Sequence, residues 1–465
     1  KPIDFICLIR IVSVEKLALL QPTGKEKVMY KTLSAPHIAQ IEVTSLCPNR
    51  CQHCYNFWRK SGGFEASASL TLTQADRIVD EIIAHHVFHI VITGGEPLAN
   101  KATTFHILER AADGGVTTSI NSSLISLTKS DVDLIRDLGV KMVMTSILGP
   151  NSETHGEIAQ NKSAFDLTVK GIRLLQSANV PVSVNMVVSK KNHGLIRETG
   201  DLVKSLGVNI FNATRAGCPG NCLDFSDFSL NIEEFRSYLE TLHILGKEEN
   251  MSVDVLSAYP LCGIKDVNRY TGFMGRRCMA GVNTLTISAS GEVRPCNHID
   301  TSYGNILQES MSEIWRRMIE WRDGSLMPNI CRSCKILPWC GGGCRMEAKM
   351  RSGSISNIDP YACPSDSEFV YDQLINRHKT KVALPEIVRL NPKIRRREES
   401  FGATIFVDTH FGCYLNPDGF KWLKMLPYGT DLFSANLVER FGRVKDGFIE
   451  GLFDRRVLLP SSPNN

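Results

Sequence analysis

The sequence predicts an α/β fold, and three observations carry that prediction. Extended apolar stretches recur at Ala39–Val43, His89–Thr93, Thr117–Ile120, Lys141–Thr145, Val182–Val188 and Val208–Asn212. Amphipathic segments alternate with them at Thr73–His85, Thr103–Asp113, Lys129–Leu138, Ala164–Ser177 and Asn192–Leu206. Chemistry-bearing residues fall just past the extended stretches: Cys47 after the first, Gly94 after the second, Ser146 after the fourth. Six strands interleaved with five helices imply a parallel sheet with right-handed crossovers over about residues 37–245. In an α/β barrel the reactive groups gather at the carboxyl ends of the strands, where these three residues lie.

At 465 residues and 43% hydrophobic, the chain can bury two or three cores. A formal net charge of +4 is too small to argue for a nucleic-acid partner. The apolar run Ile3–Val12 is broken by Asp4 and Arg10 and is too short to span a bilayer, so no membrane partner is expected. Fifteen cysteines would suggest disulfides in a secreted protein. Most of them fall into metal-ligand spacings, no cleavable signal precedes them, and a reducing cytoplasm is the better reading. Residues 1–36 read as an N-terminal extension; Met29, eighteen residues before Cys47, marks residues 1–28 as dispensable.

Cys47, Cys51 and Cys54 form a C-x3-C-x2-C loop, and Gly94-Gly95-Glu96-Pro97 forms a turn after the next strand. Three thiolates on one short loop suit three irons of a [4Fe–4S] cube and leave the fourth open. The alternative is zinc, but tetrahedral zinc wants four ligands and the loop offers three. Spacing and order resemble the radical S-adenosylmethionine (SAM) superfamily. The resemblance implies a partial (β/α)6 TIM-type barrel, a SAM-binding [4Fe–4S] cluster and reductive cleavage to a 5′-deoxyadenosyl radical. It also implies an external electron donor such as flavodoxin or ferredoxin. By the same resemblance, His53 matches an aromatic position beside the adenine, and Gly94 and Gly95 allow close approach of the backbone to the methionine ammonium. Glu96 points its carboxylate the same way. Ser146 lies in the segment whose serine contacts the ribose, although Leu148 stands where an aspartate is frequent. Asn121 and Asn185 close the third and fifth strands within reach of the cofactor. For each lone polar residue the alternative is a loop group bonded to backbone.

A second set follows: Cys278-x12-Gly291-x4-Cys296, then Cys331-x2-Cys334-x5-Cys340-x3-Cys344, then Cys363. Turn formers surround these cysteines, as a backbone folding tightly around a cube requires. The order resembles the seven-cysteine SPASM extension of radical SAM enzymes, which implies two auxiliary clusters. One would take Cys278, Cys296 and Cys344, with Cys262 as the candidate for its missing ligand. The other would take Cys331, Cys334, Cys340 and Cys363. A zinc ribbon over Cys331–Cys344 is the alternative. Of the remaining cysteines, Cys7 and Cys413 read as small hydrophobes. Cys218 and Cys222 follow the sixth strand and its Arg215, as a redox pair, a substrate-facing thiol or a mere loop pair.

The predicted domains are therefore the barrel (37–245), the SPASM region (246–370), a linker (371–385) and a small domain over 386–460. In the last, a charge run at Lys393–Glu399 precedes a strand at Phe401–Val407, a second at Cys413–Asn416, and helical patterns at Pro417–Leu426, Leu432–Phe441 and Lys445–Asp454. Strands followed by three helices make a winged-helix-like α+β plan. It resembles the RiPP recognition element, the fold of the peptide chaperone of pyrroloquinoline quinone biosynthesis, with the Leu415-Asn416 and Gly419 turn as the clearest shared signature. Such domains take a leader peptide as an added strand. A DNA-binding winged helix is the alternative, but Glu398 and Glu399 offset Arg395-Arg396-Arg397.

The resemblance implies an oxidoreductase of the peptide-maturase type. The radical would abstract hydrogen from a ribosomally made precursor peptide, and a cross-link or related oxidative modification would follow. Two alternatives stand beside it. A formylglycine-forming sulfatase maturase shares barrel and cysteines but carries an aspartate base where this chain has Asn297, and an amide cannot take a proton as a carboxylate can. A non-catalytic leader-binding or regulatory protein with structural clusters is disfavoured by the open coordination site. No catalytic base is identified at this level.

Overall fold

The structure is a computed structural model and describes residues 30–56, 68–217, 225–273, 276–376, 383–441 and 447–461. These residues fall into two compact units, one ending at Asn376 and the other made of the residues beyond it. Cys7, Cys218 and Cys222 lie outside the described residues.

In the first unit, seven parallel strands follow in chain order: β1 (Ile38–Glu42), β2 (His89–Thr93), β3 (Thr117–Asn121), β4 (Val143–Ser146), β5 (Val182–Val188), β6 (Ile210–Arg215) and β7 (Ser252–Asp254). Beyond β1, β8 (Thr284–Ile287) adds in parallel and β9 (Val293–Arg294) antiparallel, so the sheet runs β7-β6-β5-β4-β3-β2-β1-β8-β9. The sheet thus exceeds the six predicted strands, and β8 crosses the boundary expected at residue 245. A strand such as β1 has a second row of backbone donors and acceptors that needs a partner, and β8 supplies it.

The crossovers are α1 (Leu72–Ala84), α2 (Lys101–Asp113), α3 (Lys129–Asp137), α4 (Ser152–Ala159), α5 (Ala164–Ser177), α6 (Ile196–Ser205) and α7 (Ile232–Glu248). Capping boxes set three of the starts. Thr71 and Gln74, Thr128 and Asp131, and Asn231 and Glu234 each exchange side chain for backbone N–H, satisfying donors that a helix leaves open. Helix α4 escaped the sequence reading because eight residues containing Gly156 carry too little periodicity.

The two faces of the sheet differ. Ile41, Ile92, Ile120, Val143, Val184 and Phe211 alternate onto one face and are at most 1% exposed. The opposite face is polar: the strand register sets Glu42 beside Thr93, Ser146 beside Asn185, Asn185 beside Asn212, and Asn212 beside Asp254. His89 is also on this face, its ring nitrogens 2.8 and 2.9 Å from the hydroxyls of Thr117 and Ser119. Apolar burial against the helices, worth about 1.5–3 kcal/mol per fully buried Ile or Phe, holds the layers together.

Beyond β7 regular structure thins to α8 (Met311–Arg317), α9 (Arg345–Ser352) and α10 (Ser367–Ile375), the last running into the segment assigned to a linker, with single turns at Leu261–Ile264, Asn329–Arg332 and Leu337–Cys340. Buried arginines do the work of a ladder here. Arg322 donates to the carbonyls of Gly281 (2.7 Å) and Trp315 (2.6 Å) and lies over the Trp315 ring, whose Nε1 donates to Leu33 O. Arg345 donates to the carbonyls of Gly342, Ile355 and Asn357. A guanidinium has five donors in a fixed fork and so satisfies loop carbonyls that lack a strand partner.

The second unit holds two three-stranded antiparallel sheets. One is β14-β10-β15 and the other β11-β12-β13, where β10 is Ile387–Leu390, β11 Ile394–Glu399, β12 Gly402–Val407, β13 His410–Leu415, β14 Leu432–Phe433 and β15 Leu458–Pro460. Helices α11 (Pro417–Met425), α12 (Ser434–Phe441) and α13 (Phe448–Asp454) complete it. Its own core gathers Val388, Ile405, Leu415, Phe420, Leu423 and Leu452. Asn416 Oδ1 caps α11 by accepting from Gly419 N–H at 2.8 Å. All of the charge run Lys393–Glu399 but its first residue is strand β11. Arg397 pairs with Glu399 at 2.8 Å, both nearly buried, and Arg395 lies over the Phe406 ring.

Arg322→Ala should lower the free energy of unfolding by about 2–5 kcal/mol, because two buried carbonyls lose their donor. Urea denaturation monitored by tryptophan fluorescence measures it.

Candidate active site

The cysteine loop leaves β1 and is held by backbone on three sides. Arg50 N–H donates to Ala159 O and Gln52 N–H to Ile158 O, each at 3.0 Å, so the carboxyl end of α4 carries the loop. Cys54 N–H closes the turn on Cys51 O at 3.1 Å. On the third side the glycine turn presses in: Gly95 N–H donates to Thr44 O (2.6 Å) and Glu96 N–H to Leu46 O (2.7 Å). A Cβ on Gly95 would stand 2.2 Å from Leu46 O, and one on Gly94, whose φ is +136°, 2.6 Å from Thr44 O. Only glycine permits this approach.

Cys47, Cys51 and Cys54 form no disulfide and are half-buried. Leu148, at the position where an aspartate is frequent, is buried with Ile158 and Ala159 in a cluster that Cys51 packs against. Its apolar side chain belongs to the floor of the loop.

The remaining predicted residues are placed as follows. His53 is half-buried on the turn between Cys51 and Cys54. Glu96 is 1% exposed, and its carboxylate accepts from the hydroxyls of Ser122 (2.7 Å) and Ser123 (2.5 Å) and from the N–H groups of Ser123 and Leu98. It thereby ties the glycine turn to the end of β3. Ser146 and Asn185 stand side by side on the polar face, and Asn185 Oδ1 accepts from the Thr214 hydroxyl at 2.7 Å. Asn121 ends β3, half-buried, opposite Met144.

Several residues of this site were not read from the sequence. Glu42, 1% exposed at the end of β1, pairs with Arg294 of β9 through Oε2. Arg294 also donates to the carbonyls of Asn297 (3.2 Å) and Ile299 (3.0 Å). Burial pushes the Glu42 carboxyl up to about 7 against the opposing pull of Arg294. Tyr55, next to Cys54, stacks on His298 with centroids 5.2 Å apart, and its hydroxyl is 3.3 Å from that of Thr93. Burial pushes this phenol up to about 12. Asn297, singled out in the sequence for standing where a base would be, accepts through Oδ1 from the Thr286 hydroxyl at 2.8 Å. A charged residue inside the apolar run Ile41–Val43 was the available signal for Glu42.

The second cysteine set forms two groups. Cys278 is the sulfur that raises both Cys296 and Cys344, whose thiols burial already pushes up, Cys296 to about 11. Cys344 N–H donates to Asp359 at 2.7 Å, and Asp359 faces Arg215 of β6 at 3.5 Å, tying this cysteine to the barrel. The other group holds Cys331, Cys334, Cys340 and Cys363, and Cys262 with them. Cys262 Sγ accepts from Cys363 N–H, and Leu261 N–H donates to Cys340 Sγ, each at 3.3 Å. The expectation that Cys262 completes the Cys278 group is therefore corrected. The turn Leu261–Ile264 carries its thiol to the 361–363 segment, where a Cβ on Gly263 would meet Tyr361 O at 2.2 Å.

Among the described residues no three His, Cys, Asp or Glu side chains converge as for a single ion. A cube is wider than an ion and is held by thiolates set apart around it. Three cysteines without disulfides on one pinned turn, against a backbone that tolerates no Cβ, fit such a cluster. Cys47, Cys51 and Cys54 would hold it. Iron replaces the thiol proton and so reverses the burial penalty on the buried sulfurs.

Comparison with known proteins agrees with this geometry. Residues 41–203 match the Radical SAM superfamily, so the chain carries a radical SAM domain and is an enzyme. Residues 278–335 match the SPASM iron-sulfur cluster-binding domain, so it is of the SPASM-bearing kind, with a [4Fe–4S] cluster, SAM and auxiliary iron–sulfur clusters as cofactors. It is 27% identical over 348 residues to an AdoMet-dependent heme synthase of Methanosarcina barkeri, covering 72% of this chain and 98% of the relative. It is 24% identical to the PqqA peptide cyclase of Rhizobium meliloti, covering 70% and 86%. Among solved structures it resembles anSMEcpe with bound AdoMet (TM-score 0.59, 18% identity, 73% of this chain and 98% of that one). It also resembles Streptococcus suis SuiB bound to precursor peptide SuiA (TM-score 0.56, 17% identity, 70% and 75%). These likenesses establish the fold. Among the described residues no helix is long and apolar enough to cross a membrane.

Anaerobically reconstituted protein should hold about twelve iron and twelve sulfide, three clusters' worth. Replacing Cys47, Cys51 and Cys54 together by alanine should remove about a third of the iron and abolish 5′-deoxyadenosine formation. Cys262→Ser should alter the electron paramagnetic resonance of the Cys331–Cys363 cluster and leave the Cys278 cluster unchanged; the reverse pattern would return Cys262 to the first group.

Proposed function

We propose that this enzyme is a peptide maturase. Its barrel and auxiliary clusters oxidise the core of a ribosomally made precursor, and the unit beyond residue 386 binds that precursor's leader. When bound, the cluster and SAM supply a 5′-deoxyadenosyl radical that takes a hydrogen atom from the substrate. The chain's own residues do the rest: Gly94, Gly95 and Asn56 shape the cofactor wall, Asn56 donating to Gly94 O at 3.1 Å, and Ser146, Asn121 and Asn185 present polar groups along the inner face.

The observation that carries the reading is the second unit. Among the described residues it sets two small three-stranded antiparallel sheets beside three helices, the α+β plan of domains that take a peptide as an added strand. Half-buried Tyr414 lies against Phe401 (5.3 Å) and Phe411 (4.5 Å), apolar surface of the kind that reads alternate side chains. Two arginines of the basic run are committed inward, Arg397 to Glu399 and Arg395 to Asp408 O, which leaves little for a phosphate backbone. A leader held on a tethered unit raises the effective concentration of the core peptide without tight binding at the chemistry. An external flavodoxin or ferredoxin as electron donor and a cytoplasmic location accompany this reading.

The match to almost the full length of an AdoMet-dependent heme synthase favours a second reading, a step of heme formation in the same barrel. The sulfatase-maturase alternative has less support, since Asn297 stands where the base would be.

Deleting residues 386–460 separates the two readings. Under the maturase reading, precursor modification falls sharply, SAM cleavage continues at a similar rate, and the leader binds the intact protein at about micromolar affinity or tighter. Precursor modification by the truncated enzyme at the full rate would remove the leader-binding role.

A further inference from the structure

We propose that Glu42 is the proton acceptor of the barrel: its Oε1 takes the proton that an X–H group of the substrate releases as that substrate is oxidised. This rests on the oxidative reading above and adds the residue that reading lacks. Glu42 closes β1 on the polar inner face, in register with Thr93 and within the field of Tyr55. Arg294 holds Oε2, while Oε1 is buried and has no hydrogen-bond partner. A buried carboxylate oxygen without a donor is expensive, and its retention calls for an explanation in function.

The groups facing it are few. Arg294 approaches from β9, and Tyr55 from the cysteine loop, itself flanked by Cys54 and His298; Thr93 on β2 is uncharged. The position after Cys296 is an amide whose oxygen already accepts from Thr286. Glu42 is thus the carboxylate with a free oxygen at this end of the barrel among the groups named. Burial raises its carboxyl to about 7, where a proton acceptor works best near neutral pH.

The step balances. A substrate C–H bond breaks homolytically and its hydrogen atom leaves to the deoxyadenosyl radical. The one-electron acceptor for the carbon radical would be an auxiliary iron–sulfur cluster when one is held by the SPASM cysteines. The adjacent or attacking X–H group, with X oxygen, nitrogen or sulfur, gives its proton to Glu42 Oε1 as the C=X or C–X bond forms.

The test uses Glu42→Gln and Glu42→Asp in the full-length holoenzyme with the precursor peptide. Glu42→Gln should keep wild-type iron and sulfide content while the ratio of modified product to 5′-deoxyadenosine falls about 100-fold or more. Glu42→Asp should recover part of that ratio with a shifted pH profile. An unchanged ratio in Glu42→Gln overturns the proposal. If Glu42→Gln loses its clusters, Glu42→Asp decides: loss of clusters and product together in it also overturns the proposal, leaving Glu42 a strut.

A second measurement needs no substrate. Between pH 4.5 and about 7 the unfolded chain has given up this proton and the folded chain has not. Wild-type stability should therefore fall relative to Glu42→Gln as pH rises through that window. A constant difference overturns the proposal. A wild type that modifies no peptide yet shows this pH difference counts against the maturase reading alone.

Discussion

A buried ion pair fixes the position of the two cysteine regions relative to one another. Glu42 ends the strand that runs into Cys47, and Arg294 ends the strand that runs into Cys296. Taking both charges out of water costs several kcal/mol per ion, and their attraction offsets this only when further hydrogen bonds satisfy the guanidinium. Asn297 and Ile299 supply those bonds through their carbonyls. The pair therefore orients the Cys296 turn as well as joining two strands. Tyr55 and His298, stacked across the same gap, show how closely the two loops approach.

The region after β7 has little regular structure because its backbone must wind around ligands. Its carbonyls consequently lack ladder partners, and arginines take their place. Arg322 and Arg345 each reach several carbonyls from one buried guanidinium. Arg215 extends the scheme to the barrel: it donates to Ala258 O at 2.8 Å, faces Asp359 and lies 4.4 Å over the Tyr361 ring. Asp359 in turn accepts from the N–H of Cys344 and of Tyr361. One strand end thus anchors a cysteine nearly 130 residues later.

The barrel was legible because strand and helix periods alternate cleanly from Ala39 to Leu206, and because cysteine spacing is a strong local signal. What the sequence could not show were pairings over long separations. Glu42 and Arg294 are 252 residues apart, and neither is marked by spacing. Cys262 was assigned by order along the chain, whereas a tight turn against Tyr361 decided its neighbours. The glycines were expected to make room for a cofactor; in the structure they also make room for Thr44 and Leu46. Strand β11 was hidden because its charges, normally a sign of solvent, neutralise each other between Arg397 and Glu399 within the sheet.

The division of the sheet into an apolar outer face and a polar inner one has a consequence for how such a barrel can change. A fold whose cohesion came from a packed lumen would lose stability with every change of lining residue. Here cohesion resides in Ile41, Ile92, Ile120 and their neighbours against the helices, while residues such as Asn121, Ser146 and Asn185 lie on the other side. Lining residues can be exchanged at small cost to folding, so the chamber can be refitted for a new guest while the walls stand.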